Sequence, residues 1–274
     1  MLNKIMKYEL KATARIFLPL FAAALLSALI NRVIFLLSPS RWQAPAVISM
    51  TLYVIILIGL FVMTFIVLIQ RFYKNLLSEE GYLMHTLPVK PWVHITGKLL
   101  ITSLWTLLSG IVAVLSVLII AADGGFLREA GNVLSEIIQG IADTKGAPLL
   151  VFQVILAFFI TLFSGTLMIY AAIAIGHLVN DHRILASIGA YIGLSTVMQI
   201  LFLAVASTPI PGLGLSNLFT ARNPGNAFFV NPDMNSISPV LHHAMWFLIL
   251  FSLLVSVGYF AITNAILARK LNLE

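Results

Sequence analysis

Cysteine is missing from all 274 residues, which removes disulfides, thiolate metal sites and a cysteine nucleophile at once. It names no compartment. Charge is nearly as scarce: Asp, Glu, Lys and Arg make up 9% of the chain, where a soluble domain carries about 25%. A water-facing surface cannot be covered with so few charges, and disorder is excluded with it. No GxxxxGK[ST] loop is present, so this chain has no such means of binding ATP, and no HExxH pair offers a zinc protease site. What fills the chain instead is apolar: 60% hydrophobic residues and a mean hydropathy of +1.03. That is the composition of a polytopic membrane protein.

Long apolar runs predict six spans, near residues 16–37, 46–70, 99–122, 148–179, 184–207 and 241–268. The first is interrupted by Asn31 and Arg32, so it is expected to end there or to let Arg32 snorkel to the interface. Its run continues past Ala22, Ala23 and Ala24, which reads as an anchor rather than a cleaved signal. Charge sets the orientation. With the amino terminus inside, Lys4, Lys7, Lys11, Arg15, Arg71, Lys74, Lys90, Lys98, Arg183, Arg269 and Lys270 face the cytoplasm. Arg32, Arg41, Arg128, Lys145 and Arg222 face out. The positive-inside rule then places both termini in the cytoplasm, as six spans require. No soluble linker or internal repeat appears, so 1–274 reads as a single transmembrane domain.

Four segments lie between or before the spans. Residues 1–15 predict an amphipathic helix: at 100° per residue Lys4, Lys7, Lys11 and Arg15 share an arc of about 80°. Leu2, Ile5, Met6 and Leu10 lie opposite. Such a helix rests in the inner interface with its lysines toward anionic lipid or a partner, unless the charges serve only to set topology. Residues 71–98 form the largest inner loop. A helical extension of the second span is expected over 71–80, then a break at Gly81 and a short helix over 82–87 closed by Pro88 and Pro91. Tyr82, Leu83, Met84 and Leu87 give that short helix an apolar face in need of a partner, or else they fold back onto the headgroups. Outside, 123–147 carries Leu127, Ala130, Leu134, Ile137, Ile138 and Ile141 at three- and four-residue spacing. This second amphipathic helix either lies flat on the outer leaflet or caps the bundle. The 208–240 loop, rich in Pro, Gly and Asn, reads as irregular backbone or a re-entrant piece.

None of the ten acidic residues sits mid-span, which weakens an ion-coupled transporter or an acid-lined channel. Glu79-Glu80 and the His177…Asp181 pair faintly resemble paired-glutamate membrane proteases, but no third ligand with the required spacing follows. A membrane serine protease finds no support either. The polar residues within spans are mild (Gln153, Gln199, Asn264, Thr64, Thr106, Thr161, Thr196, Ser252, Ser256) and are expected to join helices to one another. Gly189 and Gly193 make a GxxxG in the fifth span beside Ala186 and Ala190. Close helix packing follows, within one chain or between two.

One stretch is more telling. LLSEEGYLMHTLPVKPWVHITGKLL resembles the first cytoplasmic loop of the ABC-2 type permease subunits of bacterial ABC exporters, with Glu80, Tyr82, Leu83, Thr86, Leu87, Pro88, Val89 and Lys98 at the matching positions. The motif covers about 28 residues, and the six-span layout covers the chain. His85 has no counterpart in the pattern. The resemblance implies an all-α polytopic membrane protein with six transmembrane helices, an amphipathic N-terminal interfacial helix and a cytoplasmic coupling helix between spans 2 and 3. It further implies a bacterial plasma-membrane permease that works as a dimer with a second copy or paralogue. Glu79, Glu80, Tyr82, Leu83, Met84 and Leu87 would meet a separate ATPase subunit, and Gly189 and Gly193 would lie near the dimer seam. ATP and magnesium would then sit on that partner ATPase, with no catalytic residue, metal or cofactor on this chain, and no nucleic acid among its partners. The alternatives are an ion-coupled transporter and a non-transporting membrane scaffold or immunity protein.

Overall fold

A computed structural model describes residues 2–37, 43–76, 91–179, 182–207 and 239–269, which form seven α-helices. These are α1 Leu2–Leu37, α2 Gln43–Leu76, α3 Pro91–Ala121, α4 Gly124–Asp143, α5 Ala147–Gly176, α6 Arg183–Ser207 and α7 Pro239–Arg269. All but α4 are long and apolar enough to cross a membrane. Their flanks agree with this: large apolar side chains such as Ile184, Leu185, Leu254 and Leu37 stand exposed, as suits contact with lipid. The chain is a multi-pass membrane protein.

In α1 the structure departs from the sequence reading at one point and decides between its two alternatives at another. Nothing separates an interfacial helix at 1–15 from the first span. The helix runs unbroken for 36 residues with Pro19 inside it, about 54 Å of rod against about 30 Å of hydrocarbon. The stretch 2–15 contains no glycine or proline that would break it. Nor does the helix stop at Asn31 and Arg32. Asn31 is buried, its Nδ2 donating to the Ser49 carbonyl at 3.1 Å while Ser49 Oγ donates to Asn31 Oδ1 at 3.0 Å. A polar residue that looked like the end of a span is a rung to α2.

The described residues divide into two compact units, one through Ala130 and one from Gly131 onward. In the first, α1 packs along both α2 and α3, and α2 meets α3. Its core is Phe17, Phe21, Ala24, Leu60, Val67, Ile101, Trp105, Val112 and Ala113. In the second, α5 is central, packing along α7 and α6. Phe202 of α6 reaches Phe247 and Phe251 of α7, ring centroids 5.9 and 5.5 Å away. α5 opens at Gly146, whose φ of 88° lies in the left-handed region that favours glycine, followed by a proline in the first turn.

Candidate functional site

α1, α2 and α3 of the first unit are each longer than a bilayer core is thick, and near the end that carries residue 2 they share a buried charge cluster. On a helical wheel Glu9 falls among Leu2, Ile5 and Met6, on the apolar side of α1 and away from the lysines. Burial of that face therefore carries a carboxylate inward, where it needs a cation. Lys98, in the second turn of α3, supplies it: Nζ donates to Glu9 Oε1 at 2.5 Å, and both side chains are over 90% buried. Arg71, near the end of α2, stands 3.9 Å from the second carboxylate oxygen. One residue from each helix meets at this point.

The cluster is braced from above. Trp105 Nε1–H donates to Thr13 Oγ1 at 2.7 Å, and that hydroxyl donates in turn to the Glu9 carbonyl at 2.7 Å. Phe17 stacks on Trp105 with centroids 4.6 Å apart and rings 8° from parallel. Below, Leu2 and Ile5 pack over Gly97 of α3, so the apolar side of the first two turns covers protein. A small cavity of about 20 Å³ opens beside the pair, bordered by Glu9, Thr13, Arg71, Lys98, Thr102 and Trp105. It has room for roughly one water molecule.

Polar rungs continue along α3. Ser109 meets Thr64 at 3.0 Å, and Ser116 meets Tyr53 at 2.8 Å. Thr64 already donates to Leu60 O and Ser116 to Ala113 O, which makes Ser109 and Tyr53 the donors across the helices. Lys98, Trp105, Ser109 and Ser116 recur at intervals of seven, four and seven, one face of α3 throughout. Among the described residues of the second unit, Gln153 of α5 links to His242 of α7: Nδ1 to Oε1 at 2.8 Å and Gln153 Nε2 to the His242 carbonyl at 3.2 Å. Of the mild polar residues expected to join helices, Gln153 and Thr64 do so. Thr106, Thr196 and Ser256 donate to carbonyls of their own helices, and Gln199 donates to Ser195.

The residues singled out in sequence fare differently. Lys4, Lys7, Lys11 and Arg15 are exposed along one side of α1, free to meet headgroups. Gly189 and Gly193 sit on α6, where an added Cβ would meet nothing within 4 Å among the described residues, so neither glycine packs closely against a described helix. The close approach is elsewhere: a Cβ on Gly176 would overlap Ser187 of α6 at its Oγ, its N (2.5 Å) and its Cα (2.6 Å). Glu79, Glu80, Tyr82, Leu83, Met84 and Leu87 lie outside the described residues, as does the short helix expected over 82–87. So do Asp181 and 208–238 of the expected 208–240 loop, whose last two residues, Pro239 and Val240, instead open α7. The two roots of the 77–90 segment are described: α2 continues through Arg71 and Lys74 to Leu76, and α3 begins at Pro91. Arg71 and Lys98 stand near those roots. No group of three His, Asp or Glu able to hold a metal ion occurs among the described residues.

Sequence reasoning missed Glu9 as a site residue, although the signal was present. It is the one charge on the apolar side of the first helix. No protein-family model, curated protein or solved structure matches the chain.

Proposed function

We propose that this chain is the membrane permease subunit of an ATP-driven ABC exporter, seated in a bacterial plasma membrane with both termini cytoplasmic and paired with a second permease. The observation that carries the reading is the 71–98 segment, with its Glu80, Tyr82-Leu83 and Thr86-Leu87-Pro88-Val89 pattern. Its roots fit the task. A loop that receives a push from a separate ATPase needs stiff supports, and Glu9 clasps the α2 and α3 ends to α1 through Arg71 and Lys98. Displacement at the loop would pass to three helices as one body, shifting a path between inner and outer access. A carboxylate held by two cations serves this clasp better than it serves a travelling proton, which counts against an ion-coupled mechanism.

The test is the apolar face of the loop. Anchors of this kind contribute on the order of 1–2 kcal/mol each to docking. Tyr82→Ala with Leu83→Ala is expected to leave the protein inserted in the membrane yet unable to retain an ATPase on copurification, with ATP-dependent efflux lost in parallel. Retention of the ATPase at the wild-type ratio with normal turnover would remove the coupling role and, with it, the exporter assignment.

A further inference from the structure

α4 is the one helix of the seven that is neither apolar enough to span a membrane nor packed lengthwise on another described helix. Its sequence is nevertheless sorted with little error. At 100° per residue Phe126, Leu127, Ala130, Val133, Leu134, Ile137, Ile138 and Ile141 occupy an arc of about 140°. Arg128, Glu129, Asn132, Ser135, Glu136, Gln139 and Asp143 occupy an arc of about 120° on the other side. The apolar arc is uncovered: Leu127, Val133, Leu134, Ile137 and Ile138 are all about half exposed or more (48–60%). Gly131 and Gly140 lie inside the helix, each costing about 1 kcal/mol relative to alanine. A lone 20-residue helix in water is marginal even without them. Something must cover this face.

The chain on either side restricts what that can be. α3, a span, ends at Ala121, and α4 begins at Gly124. α4 ends at Asp143, and the next span begins at Ala147. Connectors of two and three residues hold both ends of α4 at a membrane surface, by span count the one opposite residue 2. An apolar arc held there has acyl chains within reach along its full length. Charge selects the lipid. From Asp123 to Lys145 there are four acids and two bases, so anionic headgroups offer no attraction, unlike the lysine-lined side of α1. We infer that α4 is an interfacial helix whose Phe126–Ile141 face inserts into the outer boundary of the bilayer by apolar contact alone, with no preference for anionic lipid. The inference does not depend on the exporter reading.

The absence of cysteine makes the test direct. Single cysteines are placed in the full chain at Leu127, Leu134 and Ile138 on one face and at Glu129, Glu136 and Gln139 on the other. Each is spin-labelled and reconstituted in phosphatidylcholine nanodiscs, and its collision rates with oxygen and with a water-soluble nickel chelate are compared. The expected result is an oxygen-to-nickel ratio severalfold higher at all three apolar positions, alternating with the helical period, and unchanged when a third of the lipid is phosphatidylglycerol. Equal nickel access on both faces would mean a helix standing in water. Exclusion of both reagents from the apolar face would mean a protein cover, including a second copy of the chain. A pattern present only with phosphatidylglycerol would mean attraction by charge. Any of the three overturns the inference. Two of the labelled positions on each face suffice if one variant fails to insert.

Discussion

The two units solve the same packing problem with different chemistry. In the first, side-chain hydrogen bonds cross between helices at level after level, from Glu9–Lys98 through Thr13–Trp105, Thr64–Ser109 and Tyr53–Ser116 to Asn31–Ser49. In the second, among the described residues, small residues at the end of α5, the aromatic group of Phe202, Phe247 and Phe251 and an amide–imidazole link join the helices. Lipid tails are as apolar as leucine, so apolar contact alone gives helices little reason to choose one register over another. Donors and acceptors do choose. The first unit is pinned in register along its length, while the second has α6, with no buried residue in its apolar window, leaning on α5.

The contrast breaks most sharply at Lys98. Lys98→Met removes the near partner of a buried carboxylate and is expected to cost on the order of 3–5 kcal/mol, read as a lower midpoint in denaturant titration of the purified protein in detergent. Adding Glu9→Gln should restore most of the loss, because the orphaned charge goes with it. A single variant within experimental error of the parent would mean that the cluster does not hold the first unit together. Next in size is Gly176→Ala. Its new Cβ meets backbone atoms of Ser187, which cannot swing aside, so α5 and α6 must part at a cost of about 1–3 kcal/mol. Unfolding midpoints of this variant against Gly165→Ala, where a Cβ has open space, measure the difference.

A smaller effect should appear with pH. His177, just past the end of α5, is held below its ordinary pKa of 6.5 by burial first and by the Arg183 charge second. The native state therefore binds fewer protons than the unfolded chain as pH falls through 6.5. Stability should drop across that window and level off once the native group is itself protonated. His177→Gln should flatten the slope between pH 7.5 and 5.5 in thermal unfolding scans; an unchanged slope would assign it to other groups. Least of all should Gly189→Leu with Gly193→Leu disturb the fold, since both positions are open in this chain. If they form a seam with a second copy, crosslinking between differently tagged copies should fall while the unfolding midpoint of the monomer holds. Unchanged crosslinking would put the seam elsewhere.

Much of the architecture was legible because it depends on length and composition. Six apolar runs of sufficient length became six long helices, and the 123–147 pattern became α4. What could not be read depended on partners distant in sequence. Asn31 looked like an interruption because its ligand, Ser49, belongs to another helix. GxxxG drew attention to Gly189 and Gly193, whereas the close approach fell to Gly176, which sits in no repeated pattern and is defined only by Ser187 across the turn. Glu9 was half legible. Its misplaced position on the wheel announced a buried charge, but nothing local pointed to Lys98, 89 residues away. The candidate coupling residues of 79–87 rest on their sequence alone.

That separation of 89 residues also sets an order of events during synthesis. At about 5–20 residues per second, the ribosome reaches Lys98 roughly 4–18 s after Glu9 has been made. The first helix must therefore be delivered to the membrane, and the second after it, while the carboxylate still lacks its nearest cation. Until the third span arrives, Glu9 has reason to stay hydrated, which keeps the base of the first helix from settling prematurely against lipid. Assembly of the first unit is timed by its last helix.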